Sequence, residues 1–134
     1  MASPEQRQVE EFHRATGSTI GDYPAIRDAD LRVALIQEEV DELVEAIESG
    51  DIVSAAKEIA DILYVVHGTS VSFGLDMEPV FNAVHDNNMT KVGGGIREDG
   101  KVLKPEGYRK VDIGSIVISQ TLRRHRRLPT GRDE

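Results

Sequence analysis

The sequence contains no cysteine and no tryptophan, and its aromatic side chains other than histidine are three phenylalanines and three tyrosines. Without cysteine the chain can form neither a disulfide framework nor a thiolate metal site. No apolar run approaches the length of a signal-peptide core or a membrane span, so a soluble cytoplasmic protein is expected. The 134 residues, 39% of them hydrophobic, suffice for a single domain. We expect this domain to cover residues 1–127 and residues 128–134 to form a disordered tail.

Negative charge is concentrated in one stretch of the chain. Between Glu38 and Asp61 there are nine acidic residues and a single base, Lys57, so that the stretch carries a net charge of −8. The formal charge of the whole protein is also −8, which leaves the remaining residues neutral as a group. Acidity confined to one stretch indicates a local function for the carboxylates and not a general solubility surface.

The acidic stretch is predicted to form a helical hairpin. Residues 49–51 offer a helix end, a glycine that tolerates positive φ and an aspartate that can cap the next helix. Counted from this glycine, Glu42 and Glu58 are both eight residues away, and Glu39 and Asp61 are both eleven. In an antiparallel pair the four carboxylates therefore lie level in two pairs, roughly 12 to 16 Å from the turn at about 1.5 Å per residue.

The helical period also decides which side of each helix these acids occupy. At about 100° per residue, Glu39 and Glu42 fall within the apolar arc of the first helix, and Glu38 borders it. Glu58 falls within the apolar arc of the second helix, and Asp61 lies at its edge. The arcs consist of Leu31, Leu35, Leu43, Ala46 and Ile47 in the first helix and of Ile52, Ala55, Ile59, Ile62, Val65 and Val66 in the second.

An acidic helix is most often a solvated surface, and this interpretation suits the three acids outside the arc, Asp41, Glu45 and Glu48. It does not suit the core-facing glutamates, because burying an ionised carboxylate without compensation is costly. Converging carboxylates also repel one another. A bound cation removes both problems. Since the cluster contains neither cysteine nor histidine, the all-oxygen donor set favours Mg²⁺ or Mn²⁺ over Zn²⁺.

The acids follow a pattern that resembles a known signature. Glu39-x-x-Glu42, a fifteen-residue spacer and Glu58-x-x-Asp61, preceded by a second acid at Glu38, are similar to the metal-binding motif of the all-α nucleoside triphosphate pyrophosphohydrolases. This superfamily includes MazG, the dimeric dUTPases and phosphoribosyl-ATP pyrophosphohydrolase. The segments EFHRATG, NMTK and KPEGYRKVDI resemble its MazG-like, phosphoribosyl-ATP-pyrophosphohydrolase-like branch. The likeness covers roughly residues 9 to 120.

The resemblance implies an all-α bundle of four to five helices. The predicted helix from Asp51 to Phe73 is apolar over most of its circumference, so we expect the bundle to be completed by assembly into a homodimer or larger homo-oligomer. It implies Mg²⁺-dependent hydrolysis of a (deoxy)nucleoside triphosphate, such as dUTP or a non-canonical nucleotide, to the monophosphate and pyrophosphate, with Mn²⁺ as a substitute ion. The alternative substrate is phosphoribosyl-ATP. The implied metal ligands are Glu38, Glu39, Glu42, Glu58 and Asp61, of which Glu38 or Glu39 would also act as general base. The implied substrate-binding residues are Asn88, Lys91, Lys104 and Tyr108.

Helices are also predicted on either side of the hairpin. Ser3 as N-cap, Pro4 at the first position and Gln6 in a capping box predict a first helix over residues 3–16, with Val9 and Phe12 on its buried side. Its His13 is expected at the surface or near the pocket for the base. Residues 17–29 form a turn-rich connection. Asp76 is expected to cap a helix that continues to about Lys91.

The C-terminal third is more polar. Three glycines at 93–95 predict a hinge, followed by a small hairpin between Ile96 and Leu103. A final helix after Asp112 is favoured, although the β-branched residues in this stretch are also compatible with a strand. The basic cluster at 123–127 lacks aromatic neighbours and lies on an acidic protein, which argues against nucleic acid as a partner. Two rival functions remain from the residues alone: a non-catalytic helical protein that binds a metal or a partner, and a structural bundle with solvated acids.

Overall fold

The computed structural model describes residues 2–127 as an all-α fold. Its five helices are α1 Pro4–Thr16, α2 Ala29–Ser49, α3 Ile52–Ser72, α4 Met77–Met89 and α5 Ile113–Arg127. Within the described residues there is no strand, and a single isolated bridge pairs Ile96 with Val102. The predicted all-α class and helix number are confirmed, and α5 is a helix and not a strand. The expected tail at 128–134 lies outside the described residues.

Helices α2 and α3 form the predicted hairpin and pack along each other. Gly50 ends α2 with φ of 74°, a value that a residue with a side chain adopts only under strain. Asp51 caps α3 because its side chain accepts hydrogen bonds from the backbone N–H groups of Val53 and Ser54. The turn therefore fixes which residues of the two helices lie level with each other.

Helix α1 packs on α3, and its start differs in one respect from the sequence prediction. Ser3 is the N-cap and accepts a hydrogen bond from the backbone N–H of Gln6, as expected. The capping box is wrong, because the Gln6 side chain is buried and bonds to the chain between α3 and α4. Its amide donates to the Leu75 carbonyl and accepts from the Met77 N–H. Phe12, predicted to be buried, is half exposed.

Helices α4 and α5 pack against each other, and within residues 2–127 neither packs comparably along α2 or α3. Buried Gln120 of α5 attaches them to the rest of the chain at the corner after α3. Its side-chain amide accepts from the backbone N–H of Asp76 at 3.0 Å and donates to the carbonyl of the same residue at 2.9 Å. Gln6 and Gln120, which lie near opposite ends of the chain, thus both form hydrogen bonds with the backbone of this corner.

The segment between α4 and α5 has little regular structure. The bridge between Ile96 and Val102 closes a short hairpin, and Arg97 forms an ion pair with Asp99 inside it. Gly94 approaches the backbone of Leu103 so closely that a Cβ would lie 2.3 Å from its carbonyl oxygen. The glycines of this segment therefore permit a close crossing of two chain segments in addition to the predicted hinge.

Much of the apolar surface remains uncovered in the single chain. The buried apolar residues among those described are Val9, Ala46, Ala55 and Val71. The predicted arcs of α2 and α3 exist, but their burial is only partial: Leu31 is 56% exposed, Ile47 62% and Ile52 78%. In the single chain these apolar faces remain open to solvent. Among the described residues, no helix is long and apolar enough to cross a membrane.

Candidate metal centre and substrate pocket

Four carboxylates meet on the facing sides of α2 and α3. One oxygen each from Glu39, Glu42, Glu58 and Asp61 lies within 4.8 Å of the others. The pairs are those that the equal spacing from Gly50 predicts, so the convergence follows from the turn and the helical rise. We call these four residues the carboxylate cluster.

Burial and mutual repulsion disfavour full ionisation of the carboxylate cluster. Burial raises the pKa of Glu39, and the nearby charges of Glu42, Asp61 and Glu58 raise it further. The pKa of Glu58 is also raised, first by burial and then by its hydrogen bond with Glu42. The Glu58 side chain is only 14% exposed. The Oε2 atoms of Glu39 and Glu58 are buried without a hydrogen-bond partner, which is costly for a carboxylate oxygen.

One lysine lies beside the cluster. The Nζ of Lys57 is 2.7 Å from Asp61 Oδ2 and 3.6 Å from Glu58 Oε1. The hydrogen bond and charge of Asp61 raise the pKa of Lys57, and the charge of Glu58 adds to this. The lysine side chain is 67% exposed, so solvent screens its attraction. It leaves the two buried oxygens without a partner.

The donor set fits a hard divalent cation. Oxygen is the ligand that Mg²⁺ and Mn²⁺ prefer, and the two unpartnered buried oxygens are the atoms that such an ion would satisfy. The solvated-surface interpretation is correct for Asp41, Glu45 and Glu48, which are all exposed. Glu38 is also exposed and is not among the four grouped carboxylates, so its predicted role as ligand or base stays a prediction.

A cavity of about 480 Å³ lies on the same side of the hairpin, toward the end of α3. Leu35 and Tyr64 line it, one helical turn from Glu39 and Asp61 respectively. Phe12 of α1 meets the Tyr64 ring edge to face, with the ring centres 5.6 Å apart. The cavity thus combines an aromatic wall with a position next to the carboxylate cluster.

Two buried polar side chains also line this cavity. His13, only 4% exposed, bonds through Nδ1 to the carbonyl of Thr19 at 2.9 Å. Because a carbonyl only accepts, Nδ1 carries the proton. Arg32, only 6% exposed, donates from Nε to Thr69 and from Nη2 to the Val65 carbonyl. Burial lowers the pKa of Arg32, and the charge of Asp28 opposes this shift.

His13 is predicted at the surface or near the pocket for the base, and the structure shows it buried in a pocket wall. Arg32 was missed altogether. The signal that could have revealed it is its spacing, because it lies three residues before Leu35 and seven before Glu39, on the same side of α2.

The remaining predicted substrate residues lie together at the end of α4 and in the segment after it. Two ammonium groups lie near the Tyr108 ring, with Lys91 Nζ at 5.6 Å and Lys104 Nζ at 5.2 Å from its centre. Lys91 also donates to Asn88 Oδ1 at 2.7 Å. The Tyr108 hydroxyl donates to Asn87, a residue that the sequence analysis did not single out. We call Lys91, Tyr108 and Lys104 the basic clamp.

The comparisons with known proteins bear on this arrangement. The model of the family described as phosphoribosyl-ATP pyrophosphohydrolase matches residues 9–88 of the chain. The matched range includes the whole carboxylate cluster and the cavity, and it ends before the basic clamp begins. A search of curated proteins finds no match.

Proposed function

We propose, from the premise that this chain belongs to the phosphoribosyl-ATP pyrophosphohydrolase family, that it hydrolyses a nucleotide carrying a 5′-triphosphate to the monophosphate form and pyrophosphate. Membership makes the protein a pyrophosphohydrolase, a hydrolase that acts on acid anhydrides. The observation that carries the proposal is the carboxylate cluster, whose four oxygens converge within 4.8 Å while two buried oxygens lack a partner.

Mg²⁺ is the ion that we propose for this site, held by Glu39, Glu42, Glu58 and Asp61. When bound, it would neutralise phosphate charge and make water a better nucleophile. Glu39 or the adjacent Glu38 would accept the proton of the attacking water.

The cavity beside the cluster is proposed to hold the base. Its volume of about 480 Å³ lies within the range of small-molecule sites, and the rings of Phe12 and Tyr64 offer apolar contacts for a planar ligand. His13, protonated on Nδ1, presents an acceptor at Nε2 when neutral, while Arg32 presents further N–H donors. Polar edges of a base could bond to both.

Phosphoribosyl-ATP is the substrate that the family description supports best, and it replaces dUTP as our first proposal. A general (deoxy)nucleoside triphosphate remains the second candidate. The observation in its favour is that the family match ends at residue 88. Lys91, Lys104 and Tyr108, which are proposed to contact the substrate phosphates together with Asn88, therefore fall outside the matched range.

A substrate panel tests both candidates. Phosphoribosyl-ATP, the canonical ribo- and deoxyribonucleoside triphosphates and modified triphosphates would be incubated with the protein and Mg²⁺, and the products separated by chromatography. Release of pyrophosphate from phosphoribosyl-ATP at the highest kcat/KM supports the first proposal. A preference for one of the other triphosphates supports the second. Binding of Mg²⁺ and nucleotide without turnover of any compound would contradict both.

A further inference from the structure

We propose that Lys57 exchanges ionic partners at the carboxylate cluster. When no metal is bound, its ammonium group pairs with Asp61 and Glu58, and when Mg²⁺ and substrate are bound, it pairs with a substrate phosphate. The proposal rests on the proposed function and adds to it a phosphate-binding residue on the hairpin itself. Competition between Lys57 and Mg²⁺ for the same carboxylates is the consequence that can be measured.

The position of Lys57 is explained by the cluster and not by the stability of α3. It is the only base in the stretch from Glu38 to Asp61, and its Nζ lies 2.7 Å from Asp61 Oδ2 and 3.6 Å from Glu58 Oε1. Within a helix, a lysine placed four residues before an acid is the weaker of the two orientations of such a pair. The contact therefore reflects the charge that has gathered at the cluster.

Lys57 compensates only the outer edge of the carboxylate cluster. Of the two oxygens of Glu58, Oε1 faces the lysine, whereas Oε2 is buried without a hydrogen-bond partner, as is Oε2 of Glu39. The inner oxygens therefore remain for a metal ion. Because Asp61 and Glu58 belong to the set of four converging carboxylates, Lys57 and a divalent cation would draw on the same negative charge.

The lysine can leave the carboxylates at little cost. Its side chain is 67% exposed, and its charge is carried on a flexible stem of four carbons. An ion pair this open to solvent contributes little to stability, so a cation held by the inner oxygens can displace it. A phosphate at the same rim of the cluster would offer the released ammonium group charge-assisted hydrogen bonds.

Calorimetric titration with Mg²⁺ alone tests the first half of the exchange. Lys57→Gln removes the charge and keeps a long polar side chain at an exposed helical position. We expect the variant to bind Mg²⁺ about three- to tenfold more tightly than the wild type, because a competing positive charge is gone. Lys57→Arg keeps the charge and should bind Mg²⁺ within about twofold of the wild type. Lys101→Gln, which makes the same change of net charge at an exposed site outside the cluster, is the matched control and should not alter the affinity.

Titration with a non-hydrolysable triphosphate at saturating Mg²⁺ tests the second half. Here Lys57→Gln should bind about three- to tenfold more weakly, because one charge-assisted contact to phosphate is lost. Lys101→Gln should bind the triphosphate as the wild type does. The two expected effects of Lys57→Gln have opposite signs, whereas structural damage to the cluster would weaken both ligands.

Thermal unfolding provides a third measurement that needs no substrate. In EDTA, Lys57→Gln should melt at a lower temperature than the wild type, because repulsion among the carboxylates is no longer compensated. At the same concentration of Mg²⁺, its melting temperature should rise by more than that of the wild type, because the tighter binding gives a larger stabilisation by mass action.

Unchanged or weaker Mg²⁺ binding by Lys57→Gln would overturn the proposal, and so would unchanged affinity for the triphosphate. If the wild type binds no Mg²⁺, the carboxylate cluster is not a metal site, and the proposed function and the exchange are both wrong. If the wild type binds Mg²⁺ but turns over no compound of the panel, only the proposed function is contradicted, since the two titrations still decide whether Lys57 exchanges partners.

Discussion

At the scale of single residues, the geometry of the carboxylate cluster follows from spacing that is visible in the sequence. The roles of two other buried side chains do not follow from such spacing. The positions of Glu42 and Glu58 follow from helical period and the location of one glycine. Arg32 and Gln6 bond to atoms that are distant in the chain, so their roles depend on how helices pack and could not be predicted locally.

Replacing Glu42 by Gln should abolish most activity without unfolding the protein. The change keeps the shape of the side chain and removes one charge from the cluster. Because a misplaced ion or water is felt strongly in the rate, we expect Mg²⁺-dependent pyrophosphate release to fall at least about a hundredfold. Glu45→Gln on the exposed side is the matched control and should retain full activity. Activity of Glu42→Gln within a few-fold of wild type would remove this residue from the site.

Gly68 of α3 is expected to be sensitive to the smallest substitution. A Cβ at this position would lie 2.6 Å from Arg32 Nη2 and 3.0 Å from His13 Nε2, so both buried side chains would have to move. We expect Gly68→Ala to reduce the free energy of unfolding by about 1–3 kcal/mol, as overpacking does. In Gly114→Ala of α5 the new methyl group meets only Asp112, at 3.6 Å, and stability should not fall. Chemical denaturation measures both.

At the scale of helices, the hairpin formed by α2 and α3 was predictable in detail and the packing around it was not. Its turn, its cap at Asp51 and its level carboxylates all depend on local rules. The placement of α4 and α5 depends on two buried glutamines, Gln6 and Gln120, whose side chains form hydrogen bonds with the backbone at residues 75–77. Glutamine carries no sequence signal for such a role, because its side chain is exposed in most proteins.

The free energy of unfolding should change with pH in one direction without metal and in the opposite direction with Mg²⁺ bound. The pKa values of Glu39 and Glu58 are raised in the folded state above their ordinary value of 4.5. A raised carboxyl pKa means that the folded state binds the proton more tightly, so these groups destabilise it increasingly as pH rises through that window. In EDTA, the melting temperature should therefore rise as pH is lowered from 7.5 to 5. Glu39→Gln should reduce this rise, and an unchanged slope would contradict the assignment.

Mg²⁺ should reverse that trend, because it binds the ionised carboxylates and competes with protons. At about 100 times its dissociation constant, it should add about 2.7 kcal/mol to the free energy of unfolding at neutral pH. Glu45→Gln should show the same increment, while Glu58→Gln should show a smaller one. A melting temperature that does not respond to Mg²⁺ would exclude the carboxylate cluster as a metal site.

The segment from Gly93 to Lys110 should become ordered when substrate binds. Few of its backbone groups form hydrogen bonds within residues 2–127, and among those residues its lysines have no ion-pair partner. With Mg²⁺ and a non-hydrolysable triphosphate, charge-assisted hydrogen bonds become available to them. Amide hydrogen exchange should be fast in the free protein and slower in the complex, with Lys104→Ala reducing the protection and Lys101→Ala leaving it intact. Equal exchange in both states would mean that the segment is a fixed part of the fold.

At the scale of the whole molecule, the apolar surface left uncovered by one chain predicts self-association in solution. The sequence indicates this because α3 is apolar around most of its circumference, but a sequence alone does not show which faces stay uncovered. Leu63 on α3 is 54% exposed, and we expect Leu63→Asp to shift the equilibrium from dimer to monomer by placing a charge in the interface. Sedimentation equilibrium measures the shift. Ile26→Asp, in the loop before α2 where the natural side chain is 71% exposed, should leave the dimer intact. A wild-type protein that sediments as a monomer at micromolar concentration would contradict the prediction, since a chain with this little buried apolar surface would then have to be stable alone.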